Sequence, residues 1–391
     1  MRPAARRAGG ARPTVLVNLL WMVPGVVGGS EDSVTAALRA LDGRAADELD
    51  VQLAVLGSFA AAHPDLADRR VVHVAPIDGS SKVRRVWEEQ TWLARLAGRV
   101  GADVVHHAGG TVPVLHPGRV VLTLHDLQPL DMPQNFSWVK RTYLRAMIGR
   151  SARAASVVHV PSHFTGERAI ELLGVDPGRI AVVPWAVRDV GAGARTGAGD
   201  GARSGQGESR VVPDRPFLLY PAITYPHKNH LVLLEAFARV DSDAVLVLTG
   251  AEGPEERSVR ERMGRQDLRD RVLRLGRVPT ADLDALYAAA TALVFPSRYE
   301  GFGLPVLEAM SAGLPVVCAA AGSLPEVARD EDLIDPDDVT GWAAAMQSVL
   351  GMSDRDREAR VDAGRRAAQR FDPERTAAGL VELYRAAMAP T

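Results

Sequence analysis

With 391 residues the chain is long enough for two or three domains, and 47 % apolar against 24 % charged residues is the balance of a folded globular protein, which excludes disorder along its whole length. Lys and Arg number 46 against 48 Asp and Glu, a net charge of −2, so no global basic field exists to hold nucleic acid and any polyanion site must be local. The single cysteine, Cys318, excludes an internal disulfide framework and a multi-cysteine zinc site, and points to the cytoplasm.

The N-terminal segment carries Arg2, Arg6, Arg7 and Arg12 ahead of the apolar run from Thr14 to Val27, the arrangement of a signal peptide. Asn18 interrupts that run and no small-residue cleavage site follows, so we read a buried first strand after a basic tail. No uninterrupted apolar run reaches the roughly 18 residues that a membrane span requires.

From Thr14 to Val187 short apolar runs alternate with turns and longer helical segments, the pattern of a doubly wound parallel sheet. It predicts strands at 15–20, 51–56, 71–74, 104–106, 120–124, 157–160 and 180–183. The helices between them are expected at 30–41, 83–99, 138–155 and 163–173, the last capped by Ser162. Residues 191–209 read GAGARTGAGDGARSGQGES, a tract that cannot bury enough apolar surface to order itself, and so a linker.

A second series follows, with strands at 217–220, 244–248, 272–275, 292–295 and 315–319. Its helices are expected at 230–240, 258–263, 281–290 and 305–312, and an amphipathic helix at 375–387 closes the chain. The reading is two Rossmann-like domains, 1–187 and 215–371, joined by a flexible linker at 188–214. Residues 372–391 form a C-terminal helix packing back towards the first domain. Doubly wound sheets bind ligands outside the carboxyl ends of their strands, so the chemistry is expected in the loops there and in a cleft between the domains.

The loop after the strand at 292–295 is the most informative stretch: Pro296-Ser-Arg-Tyr-Glu-Gly-Phe-Gly-Leu-Pro-Val-Leu-Glu-Ala-Met310. Gly301 and Gly303 allow close backbone approach to a ligand. Pro305 fits a first helical position, so the helix start offers N–H groups to a diphosphate. Glu308 is expected in the first helical turn, where it could accept hydrogen bonds from sugar hydroxyls, and Glu300 stands eight positions earlier. A lone glutamate there would be an ordinary surface residue; two carboxylates straddling a Gly-Phe-Gly turn are a compound signal.

The run EGFGLPVLEAM resembles the E-x7-E motif of the retaining glycosyltransferases of family 4, whose GT-B fold is two facing Rossmann-like domains. The resemblance covers nearly the whole chain: Gly28-Gly29, His125-Asp126, Lys228-Asn229, the glutamate pair and Gly322-Ser-Leu-Pro-Glu326 stand in family order. It implies catalytic roles for His125 (sugar pocket), Lys228 (donor diphosphate) and Glu300 (transferred sugar). Donor binding falls to Gly28, Gly29, Phe302, Gly303, Leu304 and Glu308, the last on the nucleotide ribose. Main-chain groups at Gly276, Arg277 and Val278 hold the base. No cofactor or metal is expected. One departure stands out: family members often carry an arginine six positions before the lysine, and here that position is Ala222. His227 and Arg298 are the candidates to compensate for it.

The resemblance thus implies hexosyl transfer, mannosyl or related, from a nucleoside diphosphate sugar, with a GDP-sugar favoured. The acceptor would be a glycan, lipid-linked or small-molecule hydroxyl in cell-envelope polysaccharide or glycoconjugate synthesis, in the cytoplasm or at the inner membrane face. Two other readings share the fold: a non-catalytic nucleotide-sugar-binding relative, favoured by Ala222 alone, and a nucleotide-sugar epimerase, which no motif supports. His106-His107 has no ligand-spaced third partner for a metal and reads as surface or cleft packing. The basic helix near 136–155 could touch an anionic membrane surface through Trp138 and Tyr143, but reads first as a solvated basic face with its aromatics packed inward.

Overall fold

The structure, a computed structural model, describes residues 12–26, 28–44, 47–135, 138–188, 190 and 211–389. The tract 191–209, the first eleven residues and Phe136 lie outside the described residues. The chain divides into two compact units, Met1–Ala186 with Asp372–Thr391, and Val187–Phe371.

The first unit holds seven parallel strands: β1 (Thr14–Asn18), β2 (Asp50–Val55), β3 (Val72–Val74), β4 (Val104–His107), β5 (Arg119–Thr123), β6 (Val157–Val160) and β7 (Ile180–Val182), in the order β3-β2-β1-β4-β5-β6-β7. Val15 pairs with Val51 on one side and with Val104 on the other. All five β1 residues are buried, because helices cover both faces of such a sheet and its central strands become continuous apolar runs. Ser162 caps the helix His163–Leu173 by accepting from Thr165 N at 3.1 Å.

The helix expected over 83–99 is two, Lys82–Gln90 and Trp92–Val100. Thr91 ends the first of them at φ −113°, away from helical values, while its hydroxyl donates to the Trp87 carbonyl at 2.9 Å. Trp138 is 70 % exposed, so it does not pack inward as expected. Among the described residues, no helix is long and apolar enough to cross a membrane.

The C-terminal helix, Pro373–Met388, belongs to this unit and packs along the helix Gly29–Arg44. It also completes a buried polar chain. Tyr384 OH lies 2.8 Å from His106 Nδ1, His106 Nε2 lies 2.7 Å from Thr123 Oγ1, Thr123 Oγ1 lies 2.9 Å from His159 Nδ1, and His159 Nε2 lies 2.9 Å from the Val183 carbonyl. Since the carbonyl can only accept, every donor in the chain is fixed: tyrosine to His106, His106 to threonine, threonine to His159. His106 and His107 are therefore core residues rather than surface ones, His107 meeting the Asn18 amide at 3.2 Å.

The second unit is a six-stranded parallel sheet ordered β10-β9-β8-β11-β12-β13, with β8 (Phe217–Pro221), β9 (Val245–Thr249), β10 (Val272–Gly276), β11 (Ala292–Phe295), β12 (Val316–Ala319) and β13 (Leu333–Ile334). The two-residue β13 and the helices Val339–Leu350 and Asp354–Ala368 are additions to the expected elements. Strand order reverses between β8 and β11, which are neighbours in the sheet. The carboxyl ends of those two strands flank the crevice where this architecture binds ligands.

Candidate active site

The loops leaving β8 and β11 carry Lys228 and Glu300, and the structure brings the two side chains together: Nζ is 2.5 Å from Oε1. The Lys228 ammonium also lies 5.8 Å from the centre of the Phe295 ring. This turn is built tightly. Pro226–Lys228 forms a single 3-10 turn, and the buried Tyr220 hydroxyl donates to the Lys228 carbonyl at 2.5 Å. Asn229 then adopts φ +62°, a left-handed conformation that a non-glycine residue holds only when its surroundings enforce it. Its amide supplies that enforcement by donating to the carbonyls of Pro296 (3.1 Å) and Pro336 (2.6 Å), while Arg298 N donates to the His227 carbonyl at 2.8 Å. The lysine turn is thus stapled to the glutamate loop.

Glu300 is held from behind as well. Ser323 donates to its carbonyl from both N (3.2 Å) and Oγ (3.0 Å), and Gly322 sits at φ +59° where a Cβ would come within 2.8 Å of Glu300 N. Sequence reading placed Gly322-Ser323 in the motif run without a role; the structure makes them the support of the glutamate backbone.

The helix after the loop begins at Leu304, behind a left-handed Gly303 at φ +98°, so Pro305 is its second residue rather than its first. Glu308 accordingly falls on the fifth position, beyond the first turn where it was expected. The N–H groups of Val306 and Leu307 bond to the Gly303 carbonyl and Pro305 has none, which leaves those of Gly303 and Leu304 without a hydrogen bond among the described residues. The anion-binding capacity of this helix start rests on those two. The Phe302 side chain packs edge-on against Phe371 at 5.5 Å, so this residue can offer a ligand only its backbone.

Glu308 is 8 % exposed and orders a small polar cluster. Its Oε1 accepts from Arg188 Nε at 2.6 Å and its Oε2 from the Tyr287 hydroxyl at 3.1 Å, while Arg188 Nη1 donates to Asp284 at 2.7 Å. Burial opposes the Arg188 charge, but Glu308 and Asp284 outweigh it and hold its pKa above the ordinary value. Burial and the Glu308 charge raise the Tyr287 hydroxyl well above its usual range, so it acts as a donor. Sequence reading missed this cluster. Arg188 fell in the expected linker, and no spacing links it to a glutamate 120 positions away.

Gly276 ends β10 at φ +69° with open space around it, and its carbonyl accepts from Gly250 N at 2.8 Å. Arg277 is exposed and Val278 half-buried. Ala222 is buried. Of the two candidates to replace the missing arginine, burial, with Lys228 and His230 alongside, pushes His227 down to about 3, so it is uncharged at neutral pH. Arg298 pairs with Asp337, Nε to Oδ1 at 3.0 Å. Among the described residues, no cluster of three or more His, Cys, Asp or Glu side chains is arranged to hold a metal.

In the first unit, His125 follows β5 and lies between Trp21 (5.7 Å) and Trp185, on which it stacks at 5.5 Å. Its Nε2 donates to the Ala108 carbonyl at 2.8 Å, which makes Nδ1 an acceptor, and burial keeps the ring neutral. Gly28 has φ +69° with open space where a Cβ would stand, whereas Gly29 is simply the first residue of the helix Gly29–Arg44.

Residues 27–189 match the family model Glycosyltransferase Family 4, and residues 206–370 match Glycosyl transferases group 1. The O-antigen chain mannosyltransferase B of Escherichia coli is 31 % identical over 294 residues, 72 % of this chain and 74 % of the relative. This chain belongs to glycosyltransferase family 4. A D-inositol 3-phosphate glycosyltransferase of Xylanimonas cellulosilytica is likewise 31 % identical to the transferase, over 75 % of this chain and 70 % of the relative. The crystal structure of Anabaena HepE in complex with UDP and glucose superposes with a TM-score of 0.71 at 20 % identity, covering 96 % of the transferase and 100 % of HepE. The fold is therefore GT-B, built from the two parallel-sheet units described above.

Proposed function

We propose that the transferase moves a hexosyl group from a nucleoside diphosphate sugar to an acceptor hydroxyl with retention at the anomeric carbon. The donor is a GDP-sugar of the mannose type, and the product a cell-envelope polysaccharide or glycoconjugate. The observation that carries this reading is the Lys228–Glu300 pair at the carboxyl ends of β8 and β11, beside a helix start with two unbonded N–H groups. The HepE complex with UDP and glucose supports a nucleotide sugar as donor, and the mannosyltransferase relative supports the sugar.

Lysine has three ammonium protons, so Lys228 can keep its bond to Glu300 while donating to a phosphate oxygen. As the bond from anomeric carbon to phosphate oxygen breaks, negative charge grows on the leaving diphosphate, and the ammonium with the N–H groups of Gly303 and Leu304 stabilises it. The acceptor oxygen bonds to the same face of the carbon, and its proton passes to the departing phosphate. Glu300, fixed by Lys228 and Ser323, accepts hydrogen bonds from hydroxyls of the transferred sugar, and Glu308 from those of the ribose. Main-chain groups at Gly276–Val278 hold the base. No metal enters this account.

The test is product analysis in EDTA with GDP-mannose, UDP-glucose and dTDP-rhamnose against a panel of glycan and lipid-linked acceptors. A product with the same anomeric configuration as its donor, α from GDP-mannose or UDP-glucose and β from dTDP-rhamnose, is expected from the anomeric NMR couplings. An inverted product, or epimerised donor without transfer, would refute the reading.

A further inference from the structure

The Glu308 cluster points beyond the motif residues. A carboxylate that binds two vicinal hydroxyls must be ionised, so that it only accepts, and its plane must be fixed so that two lone pairs face the diol. Glu308 is 8 % exposed, and its carboxylate is held from two sides, by a charge-assisted bond from Arg188 to Oε1 and by the Tyr287 hydroxyl on Oε2. Arg188 is in turn anchored by Asp284. Bonds of 2.6 and 2.7 Å from adjacent guanidinium nitrogens leave the fork little freedom to turn.

We infer that Arg188 is a positioning residue for donor recognition: clamped by Asp284, it holds the Glu308 carboxylate oriented to accept from the ribose 2′- and 3′-hydroxyls. The inference rests on the proposed role of Glu308 as the ribose ligand. It assigns to a residue of the segment before the glycine-rich tract a function in nucleotide selectivity. Arg188 and Tyr287 each hold one oxygen of the Glu308 carboxylate, with Asp284 behind the arginine, so removing Arg188 takes away one of the bonds that fix the plane of the carboxylate towards the diol.

The experiment compares ribo- with 2′-deoxyribonucleotides, because the ratio of their dissociation constants reads the diol contact independently of overall fold stability. Calorimetric titration with GDP and 2′-deoxy-GDP, repeated with UDP and 2′-deoxy-UDP, is run on the wild type and on Arg188→Met, Arg188→Lys, Asp284→Asn and Glu308→Gln. Hydrogen bonds to a charged group discriminate by about tenfold or more, so the wild-type ratio should be of that order. It should collapse towards one in Arg188→Met and Glu308→Gln, recover in part in Arg188→Lys, and fall partway in Asp284→Asn. A full ratio retained in Arg188→Met overturns the inference. If that variant does not fold, a full ratio in both Arg188→Lys and Asp284→Asn does so. A ratio unchanged in Glu308→Gln would instead sink the ribose role of Glu308 itself.

Discussion

Lys228 and Glu300, 72 positions apart in sequence, form an ion pair of 2.5 Å at the point where the strand order of the second unit reverses. Both side chains are more than four-fifths buried. A pair so placed is poor evidence of stability, since desolvation cancels much of its attraction, and good evidence of a site where charge is handled.

Replacing Lys228 by Ala should lower turnover by about 10² to 10³, the usual cost of removing one charge-stabilising group. Glu300→Ala should abolish transfer while leaving nucleoside diphosphate affinity largely intact, because its assigned contacts are to the sugar. Steady-state kinetics with parallel titration of the free nucleotide separates the two. Equal loss of nucleotide affinity in both variants would contradict the division of roles.

The left-handed Asn229 predicts an ordering that propensity alone would not. Asn229→Gly relieves the positive φ but loses both amide bonds, whereas Asn229→Ala loses the bonds and keeps the strain. Thermal midpoints should fall in the order wild type, Gly, Ala, with Ala about 1 kcal/mol below Gly. Turnover should drop in both, since the staple between the lysine turn and the glutamate loop is cut. An alanine variant as stable as the glycine one would show that the strain is not enforced.

Gly322→Ala should be more damaging than a surface glycine change. The new Cβ would meet the Glu300 backbone at 2.8 and 2.9 Å, contacts that rigid main chain cannot yield to, and φ is +59°. Loss of activity with the fold retained by circular dichroism is expected. Wild-type kinetics in this variant would remove Gly322 from the support of Glu300.

The buried histidines set an acid limit. Burial, the largest cause in each case, pushes His159 down to about 4, and His107, His227 and His230 to about 3. Unfolded imidazoles protonate near 6.5, so between that pH and about 4 the unfolded chain binds more protons than the folded one. Stability is therefore complete above about pH 6.5 and lost as pH falls, by up to about 1.4 kcal/mol per pH unit for each histidine. Thermal midpoints at pH 7.5, 6 and 5 should decline steeply, ahead of carboxylate titration. Tyr384→Phe, which leaves His106 Nδ1 without its donor, should cost a further 1–3 kcal/mol or so at pH 7.5.

How much of this was legible beforehand follows from the range of each signal. Twelve of the thirteen strands were readable because each strand of a covered parallel sheet is a local apolar run; β13 failed the test at two residues. Lys228, Glu300 and Glu308 were readable because they sit in motifs anchored to strand ends. The helix break at Thr91 is a departure of one residue's backbone, which periodicity does not register. Arg188 was hidden for a different reason: its partners are 96 and 120 positions away, and contacts of that separation leave no local pattern. The tyrosine–histidine chain is the same kind of case, joining residues 278 positions apart.

The central claim is a nucleoside diphosphate site built on Lys228 and Glu308, and the measurement that tests it most directly is a thermal-shift titration with GDP, UDP and dTDP, with magnesium and with EDTA. A ligand that binds only the folded state at a hundred times its dissociation constant adds about 2.7 kcal/mol. One nucleotide, GDP on this account, should raise the midpoint of the wild type by several degrees equally with and without the metal, and the shift should vanish in Lys228→Ala and Glu308→Ala. No shift with any nucleotide, or an undiminished shift in both variants, would contradict it.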